Sequence, residues 1–550
     1  MRLRASFTSC AGGSVAAACR SGFAGWHVAA ALAAVLACAA PAGAARPAQA
    51  APAGGSAAGL APGSATGIAW TACPGTARGA RVQCARVRVP LDWARPRGAT
   101  ISLKVIRRLA GRRGQRIGSM FFNPGGPGVS GVNTVSNPED GAQLDRAAGG
   151  RFDVVSWDPR GTNASTPVRC FASDALQAKF WGPEPFPITR PRSLAYLAKT
   201  IASAARCRRR SGRLLAHIST ADTTRDLDHL RRLVGDRRLT YYGWSYGTFI
   251  GQTYANLFPG RVRAMVLDGL LDPVATIASM EAREANGVST TDAVFAKLLS
   301  LCQRAGPARC RLAGHGAPAA ARATGLLDRL QRGPIPAPAA RPAGALTYAD
   351  ALFALYGALN SPGGWPDLAA DLDAAAGGDG SALLTRAREC DSECLRSVLV
   401  PSQAINCADT RARQGGQAWP SVIGRLERIS RLRGAALGWW QWAPCTAWGP
   451  PNTGRYTGPW NARTAHPVLI VGTRWDPATP YANARRVARL LGNAVLLTHD
   501  GYGHTSPADP SACVQRATAA YLVRLVTPPR GTVCPSDRQP FDPKFGTPVP

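Results

Sequence analysis

The sequence predicts an α/β fold, a mostly parallel sheet with helices on both faces. Three observations carry that reading. Short β-branched and apolar runs alternate with helical segments from residue 82 onward, the pattern of a parallel sheet. A single Gly243-Trp244-Ser245-Tyr246-Gly247 lies between one such run and a helix. Asp476 and His504 each follow a later strand, which is where a serine's catalytic partners belong in such a sheet.

Taken in order, residues 1–44 read as a signal peptide. Arg2, Arg4 and Arg20 precede an apolar run at 28–40, and Ala42-Gly43-Ala44 offers small residues for cleavage. The run is too short to span a bilayer comfortably, and no later stretch is long and apolar enough. Release to the outside is the expectation. Val35-Leu36-Ala37-Cys38 also resembles a lipobox, so a lipid anchor at Cys38 on the outer face of the cell membrane is the alternative. Residues 45–66, rich in Ala, Gly, Pro and Ser, read as a disordered linker.

The first part of the core spans 67–272. Runs at 82–89 and 101–106 alternate like a hairpin pair, and 117–122 and 152–157 continue the sheet. A helix at 220–233 precedes a strand at 239–242, the serine pentapeptide, and a helix ending near Phe258-Pro259-Gly260. The run 263–268 is the next strand. Over 273–438 the pattern turns helical, with segments at 293–302, 320–330 and 348–359 and a Pro-rich loop at 333–344, and no strand. This stretch reads as a helical lid. The core resumes over 439–526, with strands at 467–472 and 494–498. Residues 527–550 form a Pro-rich tail pinned by Cys534.

Composition narrows the function. The chain has 550 residues, 45% of them hydrophobic, enough for one large core and an accessory subdomain. Of 15 cysteines, Cys10, Cys19 and Cys38 fall in the leader. The other twelve suit a disulfide framework in an oxidising compartment. Pairing neighbours gives Cys73–Cys84, Cys302–Cys310, Cys390–Cys394, Cys407–Cys445 and Cys513–Cys534, leaving Cys170–Cys207. Cys390 and Cys394 have a spacing that zinc tolerates, but nothing nearby completes a site, so neither metal nor other cofactor is expected. The net charge of +32 comes from scattered arginines without interleaved aromatics. That pattern argues against nucleic acid and leaves at most attraction to an anionic envelope.

A serine hydroxyl is a weak nucleophile near neutral pH and needs a base, which needs an orienting acid. Ser245 stands on a sharp strand-to-helix turn that requires small flanking residues. Asp476 follows its strand across Gly472-Thr473-Arg474-Trp475, and His504 sits in the glycine-rich Asp500–Thr505 loop. His466 precedes its strand, at the wrong end of the sheet. His499 at a strand end is the rival base, and Asp268 and Asp272 are rival acids. Developing negative charge on the substrate carbonyl oxygen needs backbone N–H donors. Tyr246 supplies one, and the Asn123-Pro124-Gly125-Gly126-Pro127-Gly128 loop supplies the other through Gly125 or Gly126. Asp158-Pro159-Arg160-Gly161 follows the fourth strand and reads as structural, with Arg160 bonding carbonyls or an acid beneath that loop.

Together, 123–128, 158–161, 220–233, 242–248, 258–273, 475–480 and 501–504 resemble the secreted tripeptidyl aminopeptidases of actinobacteria. These are α/β-hydrolases near the prolyl iminopeptidases, and the resemblance runs from about Trp70 to Val526. It implies an eight-stranded, mostly parallel sheet with a helical lid. It implies Ser245 as nucleophile, Asp476 as acid, His504 as base, and release of tripeptides from free N-termini of peptide substrates. Prolyl iminopeptidase and carboxylesterase are alternatives on the same fold. An inactive hydrolase-fold protein that binds in the envelope is the alternative of another class. The chain departs from the family pattern at Val129, at Trp244 and at Thr162-Asn163-Ala164. Trp244, beside the serine, is expected to shape what Ser245 attacks. An aminopeptidase also needs a carboxylate for the substrate ammonium. Glu281, Glu284, Asp350, Asp367 and Asp409 are the candidates, with Asp409 first in line.

Overall fold

The computed structural model describes residues 67–75, 81–182, 186–388, 398–410, 415–449, 452–543 and 545. The leader with Cys38, the linker and the Cys390–Cys394 pair lie outside them.

The strands are β1 (Thr71–Ala72), β2 (Val82–Pro90), β3 (Thr100–Arg108), β4 (Gly118–Asn123), β5 (Phe152–Trp157), β6 (Leu239–Trp244) and β7 (Val262–Asp268). After them come β8 (Ile335–Ala337), β9 (Gly344–Leu346), β10 (Val468–Trp475), β11 (Ala494–Tyr502) and β12 (Val533–Pro535). One sheet runs β1-β2-β3-β5-β4-β6-β7-β10-β11-β12. The eight strands from β2 to β11 form the expected sheet. β1 and β12 add a short strand at each edge. β12 pairs in parallel with β11, so the tail is more ordered than its prolines suggest. From β5 to β12 every pairing is parallel.

β4, β5 and β6 are buried along their whole length, as strands covered on both faces must be. Alternation still sorts their side chains. Tyr241 joins the large core on one face, while Tyr242 and Trp244 join a second core on the other. The helix Thr220–Leu233 starts with a capping box between Ser219 and Asp222. The helix Tyr246–Leu257 starts directly after Ser245.

Between β7 and β10 the chain is mainly helical, as expected. One correction applies. The Pro-rich loop folds into the hairpin β8–β9, where Ile335 and Leu346 are buried and paired. Each strand is three residues long, too short for alternation to register. The insertion is tied to the loops that follow β10 and β11. Thr290 Oγ1 donates to the Asp476 carbonyl at 2.8 Å, Arg433 Nη1 to the Pro477 carbonyl at 2.5 Å, and the His504 N–H to the Asn360 carbonyl at 2.9 Å.

Sequence reading missed the longest helix, Arg190–Leu215, whose eight arginines and lysines hide its buried stripe. Leu197, Ala204, Cys207 and Leu214 of that helix face the core. Five of the expected disulfides are present, Cys73–Cys84, Cys170–Cys207, Cys302–Cys310, Cys407–Cys445 and Cys513–Cys534. Among the described residues no helix is long and apolar enough to cross a membrane.

Candidate active site

Ser245 caps the helix Tyr246–Leu257 with φ 53° and ψ −124°, a conformation that side chains other than glycine rarely adopt. The surroundings hold it there. Its N–H donates to the Asp268 carbonyl at 2.9 Å, and its own carbonyl accepts from Thr248 N at 2.8 Å and Thr248 Oγ1 at 2.6 Å. The flanking glycines permit the turn. A Cβ on Gly243 would come within 2.6 Å of the Gly247 carbonyl oxygen.

Asp476, one residue past β10, is fully buried. His504 Nδ1 lies 3.0 Å from each of its carboxylate oxygens. Asp476 also accepts from Ala478 N and Thr479 N at 2.8 Å, Thr479 Oγ1 at 2.7 Å and Thr505 N at 3.2 Å. Burial alone would raise this carboxyl, but the His504 imidazole and the Thr479 donors outweigh it and hold it below the ordinary range. Ser245 and His504 line one cavity of about 110 Å³, and the Asp476 carboxylate stands behind the imidazole.

The rivals are engaged elsewhere. Asp268 accepts from Ser506 N at 3.0 Å, Ser506 Oγ at 2.6 Å and Tyr242 Oη at 3.2 Å. Asp272 caps the helix Pro273–Ala278. His499 is fully buried against Thr473, and burial holds its imidazole down at about 4. His466 lines a hollow that also includes Gly118, Phe152 and Arg263, with neither Ser245 nor His504 on its wall.

The loop after β4 packs against the serine turn. Gly125 has φ 102°, and a Cβ there would lie 2.7 Å from the Trp244 carbonyl and 2.9 Å from Tyr246 N. The Gly125 N–H already donates to Asn123 Oδ1 at 3.0 Å. Gly126 and Tyr246 line the cavity and Gly125 does not. Gly125 thus serves close approach, and Gly126 lies on the cavity wall. Asp158 supports this loop. It is buried and accepts from Ser130 Oγ at 2.6 Å and Ala164 N at 3.2 Å, while Asn163 Nδ2 donates to the Gly128 carbonyl at 2.8 Å. Sequence reading had noted Asn163 only as a departure. Arg160 is fully buried and bonds Asp226 at 2.6 and 2.7 Å and the carbonyls of Pro90, Leu91 and His217. These bonds clamp the end of β2 rather than the loop.

Two expectations are corrected. The Trp244 ring points away from the cavity and packs edge-on against Phe122 at 4.7 Å and Tyr242 at 5.8 Å. Asp409 is also outside the cavity wall. It accepts from Thr220 N at 3.0 Å and Thr220 Oγ1 at 2.6 Å, at the start of the helix Thr220–Leu233. Burial raises its carboxyl to about 6.

Of the other acids in the insertion, Glu281 pairs with Arg425, Asp350 caps the helix Tyr348–Leu359, and Asp367 is exposed. Glu284 alone among the five lines the cavity. Its Oε2 accepts from Trp442 Nε1, while its buried Oε1 has no partner. Burial raises this carboxyl against the opposing pull of Arg433, Trp442 and Arg283. The Arg283 guanidinium stacks on Trp442 at 4.8 Å, and Arg433, Tyr356, Asn360, Leu437 and Gln441 are also on the helical wall. Among the described residues no group of three or more His, Cys, Asp or Glu side chains is arranged to hold a metal ion.

Comparison with known proteins agrees with this architecture. Residues 118–297 match the model of the alpha/beta hydrolase fold, and 434–534 match the model described as TAP-like protein. Serine protease Hip1 of Mycobacterium tuberculosis is 32% identical over 88% of this chain and 93% of its own length. Tripeptidyl aminopeptidase of Streptomyces lividans is 29% identical over 87% of this chain and 89% of its own. Carboxylesterase B of Mycobacterium tuberculosis is 33% identical over 82% of this chain and 86% of its own. With that coverage and identity added to the sheet order and the serine turn, the chain belongs to the TAP-like α/β-hydrolases and is a serine hydrolase of that fold.

Proposed function

We propose that the protein is an exported serine exopeptidase that releases tripeptides, or short N-terminal peptides, from free N-termini. Ser245 Oγ attacks the substrate carbonyl as His504 takes its proton. The N–H groups of Tyr246 and Gly126 receive the oxyanion, each contributing about 2.7–4 kcal/mol by the usual mutational measure. The tetrahedral intermediate collapses, the C–N bond breaks, and His504 returns the proton to the leaving amine. Water, deprotonated by the same imidazole, then hydrolyses the acyl-enzyme and restores Ser245. Asp476 holds Nδ1 protonated and stabilises the imidazolium. The insertion between β7 and β10 serves as the lid over this site, with β2–β7 and β10–β11 as the two parts of the core.

The observation that supports an amino-terminal exopeptidase is Glu284. A buried carboxylate with an unpartnered oxygen shares the cavity with Ser245 and His504. A substrate ammonium supplies the missing donors and keeps the acid ionised. The esterase reading stands second, on the similarity to carboxylesterase B.

One panel separates them: tripeptidyl, prolyl and N-acetylated tripeptidyl amides with short acyl esters, tested on wild type and Ser245→Ala. The expected result is turnover of free-amine tripeptidyl amides, falling about 10⁶-fold in Ser245→Ala. Turnover of esters alone overturns the peptidase reading. Labelling by a fluorophosphonate that survives Ser245→Ala overturns the nucleophile, and no labelling of wild type favours the envelope-binding alternative.

A further inference from the structure

The helix Arg190–Leu215 carries a feature that the catalytic site does not use. Its buried face is fixed twice, by the Cys170–Cys207 disulfide and by Tyr196 packed against Trp439 at 5.8 Å. The opposite face is open. Leu194 is 58% exposed and Ile201 45%, and their spacing of seven puts them on one side of the helix, in line with exposed Ala198. Leu176, on the adjoining helix Asp174–Trp181, is 52% exposed, and Ile188 in the connection is 43% exposed. Four of the nine large hydrophobic residues exposed anywhere among the described residues therefore fall within 26 residues of sequence. Of these, Leu194 and Ile201 form one exposed apolar stripe on the open face of the helix.

Charge says what kind of surface. Across residues 171–215 the sequence has nine arginines and lysines against two acids, Asp174 and Glu184. Within the helix itself there is no acid at all. Lys199, Arg206, Arg209 and Arg210 are exposed and, before the kink at Ser211, fall to one side of the Leu194–Ile201 stripe when projected down the axis. Apolar side chains flanked by cations along one open face are what an interfacial helix presents to an anionic bilayer. A soluble acidic partner would meet the arginines but gain little from the aliphatic stripe.

We infer that the open face of Arg190–Leu215 docks on the surface of an anionic lipid bilayer. The inference is independent of the substrate reading. Its consequence is positional. The helix is in contact with the 443–447 turn, to which Arg208 donates at the Ala447 carbonyl, and through Tyr196 with Trp439. Trp442 and Gln441 of that same segment line the cavity. Docking therefore brings the helical wall of the site next to the membrane, where peptide segments of membrane-attached proteins are held.

The test is sedimentation of the disulfide-intact protein with vesicles of phosphatidylcholine alone or with about one-third phosphatidylglycerol. Wild type is expected to bind only the anionic vesicles and to keep part of that binding in high salt. Leu194→Gln/Ile201→Gln is expected to weaken it by about tenfold or more, the loss from withholding two aliphatic side chains from the interface. The matched control Ile429→Gln/Val533→Gln, at exposed sites elsewhere, is expected to bind as wild type does. All variants should retain turnover of a soluble substrate, which shows that they fold. Three results overturn the inference. Equal binding by both double variants assigns the attraction to net charge. Equal binding of wild type to neutral vesicles removes the role of the arginines. A dimer that Leu194→Gln/Ile201→Gln dissolves, with no vesicle binding, assigns the face to a second copy of the chain.

Discussion

The ends of β7 and β10 lie side by side, with Val471 opposite Asp268, and each delivers a fully buried aspartate to the same side of the sheet. The two carboxyls respond in opposite directions. Asp476 is held below the ordinary carboxylate range, whereas burial pushes Asp268 up to about 6. Burial is the same, so it does not explain the difference. The partner does. Asp476 faces an imidazole that can carry a positive charge, while Asp268 faces neutral donors from Ser506 and Tyr242 and the negative charge of Asp476. The β10 end is built to stabilise a charge. The β7 end is built to fix positions. The Asp268 carbonyl holds Ser245 N–H, and its carboxylate holds Ser506, two residues beyond His504.

The largest test of that division is Asp476→Asn. The amide leaves the shape intact but loses the charge and presents an N–H to Nδ1, favouring the wrong tautomer. kcat on a tripeptidyl amide is expected to fall about 10⁴-fold. A fall under tenfold would break the comparison and return Asp268 to contention as the acid.

Glu284→Gln tests a third buried carboxylate, held by Trp442 at one oxygen, near the charges of Arg433 and Arg283, and without a hydrogen bond at the other. Loss of a charge-assisted contact to the substrate ammonium is expected to lower kcat/KM about 10²-fold, from the roughly 1.5–3 kcal/mol such bonds contribute. The loss should appear with free-amine substrates and vanish with N-acetylated ones. An equal loss on both would make Glu284 a structural acid for Trp442.

Much of this site was legible before any coordinates, and the reason is topological. Strand ends in a parallel sheet are marked by loops, so Ser245, Asp476 and His504 stand out once β6, β10 and β11 are found. Pairing cysteines by nearness worked because each of the five observed bonds spans 38 residues or fewer. Trp244 failed for a physical cause. β6 is apolar on both faces, so period-two alternation gives no clue to which face meets the cavity. Glu284 and Asp409 were indistinguishable as acids on helices. Only the packing of Met280–Val288 and Val400–Asp409 turns one toward Ser245 and the other toward Thr220.

Asp268→Asn probes the positioning side of the comparison and should cost less. The amide oxygen still accepts one bond, so His504 shifts rather than loses its charge partner. A fall of about tenfold in kcat with KM unchanged is expected, the signature of a loosened reacting geometry. A fall as large as that of Asp476→Asn would mean that the β7 carboxylate also stabilises charge.

The smallest effect is on stability, and its sign separates the two ends. Asp268 binds its proton more tightly folded than unfolded, because its carboxyl rises from 3.8 to about 6. Between those pH values the native state holds the extra proton, so its contribution to stability falls as pH rises, by at most about 3 kcal/mol. Removing the group in Asp268→Asn removes that slope, so the variant should gain on wild type as pH goes from 4 to 6. Asp476 is the reverse. Its folded carboxyl lies below 3.8, so its stabilisation is present above that value and is lost as pH falls through the folded pKa. Asp476→Asn should therefore stand closest to wild type in strong acid and lose ground as pH approaches 4, with no further change up to 6. Urea midpoints for wild type and both variants, measured across pH 3 to 7, give the two slopes directly. Slopes of the same sign would mean that the neutral donors around Asp268 stabilise its charge as well as an imidazolium does, and the contrast between the two strand ends would fail.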